Sequence, residues 1–178
     1  MPFKLLRFQK VFADHVCKSM PERLMENRPS YDILTTGIQT ANWIRTLVDD
    51  LVVEIGADEA KVVMEACGQQ CIGQSVLDRA RLLKQDTRNI DEFLERLNQA
   101  HIGGGKFRRD GSVIFASYER CYCGSVSKTR RPISSTYCQC SCGWYKKLFE
   151  ATLYKPVNVI LIDSIIHGAE KCQFQIYI

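Results

Sequence analysis

The chain has 178 residues, 46% of them hydrophobic and 25% charged, with a net charge of +4; this is an ordinary soluble globular composition with enough length to bury a proper core. No run approaches the ~18 consecutive apolar residues needed to span a bilayer. The opening MPFKLLRFQKVFADHVCK interleaves Lys4, Arg7 and Lys10 with its apolar residues, so it lacks the apolar stretch of a signal peptide and a cytoplasmic address is expected.

Residues 3–28 read as one amphipathic helix, with Leu5, Phe8, Val11, Phe12, His15 and Val16 recurring at helical intervals. Arg28-Pro29 should end it, because the residue before proline is pushed out of the helical region. A second helix is expected over 31–54, with Gly37 as its weak point. A third should start at Asp58, acting as N-cap, and run through Val62, Val63 and Ala66. Shorter helices follow at about 75–85 and 91–100, and Gly103-Gly104-Gly105 closes the last of them. These glycines are no phosphate loop, since no strand precedes them and no Gly-Lys-Ser or Gly-Lys-Thr follows.

The period then changes. SVIFASY, 112–118, is strand-like after the turn Asp110-Gly111; 136–153 reads as a helix; VNVILIDSI, 157–165, is a strand. CQFQIYI alternates strictly, with Cys172, Phe174, Ile176 and Ile178 on one face, and should form a hairpin with the strand before it. The expected class is α+β: a single domain over 1–178, mainly helical in 1–102, with an antiparallel sheet and a packed helix in 103–178.

Residues 101–150 hold nine Lys or Arg against three acids. A solvated basic segment is favoured there over a nucleic-acid surface, because no nucleic-acid motif accompanies the charge. Arg130 and Arg131 could hold an anionic ligand by bidentate bonds.

The nine cysteines carry the functional question. A reducing address and an odd count both argue against a disulfide framework. Cys67 and Cys71 are four apart on an expected helix and project from one face, as do Cys138 and Cys142. Cys121 and Cys123 form C-x-C in a loop, with Cys140 turned away from its helical neighbours. Thiolates in a reducing cell suit zinc, with an iron–sulfur cluster less favoured, so Cys67, Cys71, Cys121, Cys123, Cys138, Cys140 and Cys142 are the candidate ligands. A metal among them would clamp the polar loop and staple the helical half to the rest. The competing reading is core filler, which suits Cys17 and Cys172 and extends to Cys138 and Cys142 through their alignment with Tyr145 and Phe149. A reactive thiol is the third reading, with Cys138 in the first turn of its helix. None of His15, His101 and His167 is tied to a cysteine by spacing.

The stretch YCQCSCGWYKKLFEATLYKPVNVILIDSIIHGAEKCQFQIYI, with Gly-Trp and Phe-Glu on a helix, a Lys-Pro-Val strand entry and a final Cys-x-Phe-x-Ile, resembles the C-terminal half of the vinyl-reductase domain superfamily. That superfamily has a hydrocarbon-binding or regulatory branch and one named for aminothiazoline-carboxylate hydrolase. A set of uncharacterised prokaryotic cytosolic proteins with C-x-C and YC-x-C-S motifs is also similar. The resemblance implies a small-molecule pocket between helices and sheet, with a cysteine-bound metal nearby and Trp144 on the helix over the sheet. The favoured function is thus a cytosolic ligand-binding or sensor module with a structural metal, favoured over an enzyme; the alternative is a hydrolase of a small carboxylate. A homodimer is expected, and no membrane partner.

Overall fold

Thr36 shows how local chemistry sets the helix boundaries. Its side chain accepts from the Gln39 N–H while the Gln39 side chain accepts from the Thr36 N–H, a capping box that starts α3 (Gly37–Ile55). In this computed structural model, which describes residues 5–15, 20–26, 28–128 and 131–178, the expected helix over 31–54 therefore becomes a 3-10 turn at Tyr31–Ile33 followed by α3. Within the expected helix over 3–28, the described residues form α1 (Leu5–His15) and α2 (Met20–Met25). Cys17 and Arg130 lie outside the described residues.

Next come α4 (Ala57–Gln69), capped at Gly56 with Asp58 inside its first turn, α5 (Gln74–Gln85) and α6 (Ile90–Gln99), capped by the Asn89 side chain. Four strands and one long helix complete the chain: β1 (Phe107–Asp110), β2 (Val113–Tyr118), α7 (Gln139–Leu153), β3 (Asn158–Asp163) and β4 (Cys172–Tyr177). The sheet order is β1-β2-β4-β3, antiparallel throughout, so the α+β class holds and β3 and β4 are the C-terminal hairpin. Sequence reading missed β1, whose FRRD has no apolar alternation.

The sheet buries one face. Ile114, Phe174 and Ile176 pack with Tyr145, Leu148 and Phe149 of α7 and with Phe93 and Leu97 of α6 in a first core. A second core joins α1, α3 and α4 through Phe8, Phe12, Ile44, Leu47 and Met64, and it includes Tyr137 and Ile166 from the C-terminal half. Helix α7 stands between the two. No helix among the described residues is long and apolar enough to cross a membrane.

Candidate functional site: a cysteine-lined cavity

Two glycines determine how the site is assembled. Helices α4 and α7 cross so closely that a Cβ on Gly68 would lie 1.9 Å from the Cys140 carbonyl oxygen. One on Gly143 would lie 1.8 Å from the Glu65 carbonyl oxygen. Only glycine permits this approach, and Lys146 Nζ donates to Glu65 Oε1 at 2.7 Å beside it. The crossing sets Cys67 of α4, and Cys71 in the turn that follows α4 rather than on the helix itself, against the start of α7, where the 3-10 turn Ser135–Cys138 leads into the helix.

The segment carrying Cys121 and Cys123 is held from inside. Val126 and Ile133 are fully buried, the Ile133 N–H donates to the Ile166 carbonyl at 2.8 Å, and the Cys123 carbonyl accepts from the N–H groups of Val126 and Ser127. The loop therefore has apolar anchors of its own, contrary to the expectation that its polarity would leave it in need of a clamp. Cys123 Sγ also lies 2.9 Å from the Tyr137 hydroxyl.

Between these parts is a cavity of about 370 Å³. Its walls carry Cys67, Cys71, Cys121, Cys123, Cys138, Cys140 and Cys172, interleaved with Phe8, Met64, Tyr118, Tyr122, Tyr137 and Trp144. Among the described residues no Lys, Arg, Asp or Glu lines it. Gly103 and Gly104 form one edge at φ 62° and 89°, because a Cβ on Gly104 would meet the Tyr118 ring at 2.5 Å and one on Gly103 the Phe107 ring at 2.6 Å. The triple glycine thus serves as rim as well as helix stop. A wider hollow of about 490 Å³ between α5 and α6 is lined by Arg79, Glu92, Glu95 and Arg96; with Arg96 already paired to Glu92, it presents no set of polar groups converging on a ligand.

The thiols differ in character. Burial pushes Cys140 well above the usual range, and the charges of Cys123, Cys71 and Cys67 push it further, so these four sulfurs share one electrostatic neighbourhood. Cys121 is raised by burial as well. The neighbouring Cys172 thiol raises Cys138, with burial adding to it, and Cys138 in turn lowers Cys172. The Ile165 N–H donates to the Cys172 sulfur at 3.4 Å and favours the thiolate there too. The expected activation of Cys138 by a helix end is therefore reversed, and Cys172 is the thiol the surroundings favour as anion. Cys142, the remaining candidate ligand, lies outside the cavity in the first core, its thiol pushed up to about 12 by burial.

Of the other residues singled out in the sequence, Trp144 lies on the cavity wall, its ring against Tyr145 at 5.5 Å. Arg131 is exposed and outside the lining. Sequence reading missed Cys172, His101 and the tyrosines as wall residues. No disulfide links the eight described cysteines, and among the described residues no three His, Cys, Asp or Glu side chains stand close enough together to hold a metal ion.

A family model described as a family of unknown function, DUF6144, matches residues 28–178. The chain belongs to that family. No curated protein matches it. Among solved structures, the phenol-responsive sensory domain of the transcription activator PoxR with phenol matches over 80% of this chain and 76% of its own. The identity is 15% and the TM-score 0.43. A likeness at that distance carries over no ligand and no residue role, and neither finding bears on the vinyl-reductase superfamily.

Proposed function

We propose that this chain is a small-molecule-binding module of sensor or regulatory type, and that its ligand is uncharged and largely apolar. The observation that carries this reading is the cavity itself: it has the size of a small-ligand site, it is lined by aromatic rings and thiols, and the described residues bring no fixed charge to it. Placing an ion there would cost its hydration without a partner charge in return. The same observation weighs against the carboxylate hydrolase, which needs a cation at the site. The resemblance to the vinyl-reductase superfamily implied a pocket between helices and sheet, whereas this cavity lies on the α4 side of α7 with Tyr118 and Cys172 as its contributions from the sheet.

Thermal shift measurement with matched pairs of compounds tests this. Neutral aromatic or alicyclic compounds of about ten to fifteen heavy atoms should raise Tm, by about 2.7 kcal/mol of added stability at a hundredfold excess over Kd. Their carboxylate analogues should not. Ser141→Phe, which fills the cavity, should abolish the effect. Stabilisation by carboxylates alone would favour the hydrolase.

A metal component rests on the shared neighbourhood of Cys67, Cys71, Cys123 and Cys140. All four donors are soft, which suits zinc ahead of an iron–sulfur cluster. The four are not drawn together at binding distance, so loading would require them to converge. Zinc held there would staple α4, α7 and the 121–128 loop. Metal analysis of the purified protein should then find about one zinc per chain with those four thiols shielded from alkylation. Four freely alkylated thiols would remove the metal from the reading.

A further inference from the structure

The two edges of the sheet are finished differently. At β1 the outer edge is closed: the Phe107 N–H donates to the Asn98 side chain at 2.7 Å, the Phe107 carbonyl accepts from that side chain at 2.9 Å, and Arg109 is clasped by Asp91. The end of α6 thus takes up groups that another strand would seek. At β3, the opposite edge, the only backbone ladder among the described residues is the one to β4. Edge strands are ordinarily blunted by charge, proline or an early bulge. Here no charged residue or proline stands between Asn158 and Ile162, and the bulge comes only after Leu161. Ile160 and Ile162 are 41% and 52% exposed.

We propose that β3 is a self-association edge, pairing antiparallel with β3 of a second copy of this chain across a two-fold axis, so that two four-stranded sheets become one of eight strands. Both ends of the usable edge are set. At its entry Pro156 has no N–H to give, and the Val157 N–H already donates to Glu150 Oε1 at 3.4 Å. At its exit the bulge between Leu161 and Asp163 ends the regular ladder. That leaves residues 158–162, with Ile160 at the centre. A two-fold axis perpendicular to the sheet keeps each face on its own side, and directly opposed residues share a face. Ile160 therefore meets the partner's Ile160, and Val159 meets the partner's Leu161, so apolar pairs form on both faces. Charge points to a second copy as the occupant. Antiparallel pairing brings the exposed Asp163 at the end of one strand towards the exposed Lys155 before the start of the other, twice over; parallel pairing would set like charges together. Five paired residues make a small interface, of the size that gives weak and reversible dimers.

Sedimentation velocity of the full-length protein, kept reduced and run from about 5 to 200 μM, tests this. The chain should pass from monomer to dimer as concentration rises and stop there. Ile160→Lys sets two ammonium groups against each other at the axis and should weaken association by about tenfold or more. Its circular dichroism spectrum and Tm report whether the fold is kept. Val53→Lys, at a residue 83% exposed on α3, should leave association unchanged. Lys155→Glu should weaken the dimer by a smaller factor, about threefold. Joining it with Asp163→Lys should restore association, which a damaged fold would not do. A wild-type chain that stays monomeric at the highest concentration overturns self-association and leaves the edge to a strand of another protein. A dimer that Ile160→Lys does not weaken overturns β3 as its seat, and growth beyond the dimer overturns the two-fold closure.

Discussion

The two sides of helix α7 are buried alike but packed to different ends. On the sheet side, Phe107, Tyr145, Phe149 and Phe174 meet ring against ring at 5.0 to 5.8 Å, and Cys142 fills the space among them with an unreactive thiol. On the α4 side, thiols and glycines take the places that large side chains would fill, and a cavity remains. Cys140 and Cys142 are two residues apart, about 200° around a helix, and that rotation alone separates a wall residue from a filler. Residue type does not decide what a cysteine does in this chain; the side of α7 it falls on does.

The sharpest way to break the difference is to separate α4 from α7. Gly143→Ala places a Cβ on the Glu65 carbonyl, which neither backbone can accommodate without moving. We expect a loss of about 3 kcal/mol or more in chemical denaturation, at the upper end for overpacking, together with loss of ligand-induced stabilisation. An unchanged midpoint would mean that the helices do not cross at these glycines.

A smaller effect is expected at the boundary between the two sides. The Tyr145 hydroxyl donates to the Gly103 carbonyl at 2.9 Å and its ring stacks on that of Tyr118 at 5.7 Å, so a ring of the solid core holds the rim of the cavity. Burial keeps this hydroxyl protonated far into the alkaline range. Tyr145→Phe leaves the Gly103 carbonyl without its donor and should cost about 1–2 kcal/mol. Hydrogen exchange should quicken at residues 102–105 while strand β4 stays protected. Uniform loosening of both regions would argue that the rim is not a separate part.

How much of this was legible in the sequence follows the same division. The solid side was: the change from helical period to alternation marked the sheet, and the alternation of CQFQIYI put Cys172, Phe174 and Ile176 on the buried face where they stand. β1 escaped because Arg108, Arg109 and Asp110 give a four-residue edge strand no apolar pattern. The cavity side was legible only in part. The i, i+4 spacing grouped Cys67 with Cys71, and both line the cavity although Cys71 lies past the end of α4; the same rule brought in Cys142, whose helix face turns to the sheet. Cys172 was assigned to filler because periodicity tells which face a residue is on, not that the face ends at a cavity. Gly68 and Gly143 were invisible for a related reason: a helical glycine is a weakness in one helix until the partner that needs its missing Cβ is known.

The mildest test concerns the solid side alone and should leave the cavity untouched. Arg109 holds Asp91 with two parallel bonds, Nε to Oδ1 at 2.8 Å and Nη2 to Oδ2 at 2.6 Å, fastening the first turn of α6 to β1. These hydrogen bonds are the main cause that holds the Asp91 carboxyl below its ordinary value of 3.8, against a smaller opposing effect of burial. The folded chain therefore binds the proton less readily than the unfolded one. Its contribution to stability is present above the unfolded value and is lost as pH falls through the lower folded value. Asp91→Asn should accordingly lower Tm slightly at about pH 6, and the gap between variant and wild type should close as the pH drops below about 3. Glu92 and Glu119 titrate nearby with lowered values of their own, but they are common to both proteins and cancel in the difference. Added salt should shrink the gap too, because the pair is exposed to solvent. A gap that persisted undiminished at low pH would assign the cost to the helix terminus itself, and the junction between α6 and β1 would then be held by packing of Phe93 and Leu97 and by the two hydrogen bonds between the Asn98 side chain and the Phe107 backbone, at 2.9 and 2.7 Å.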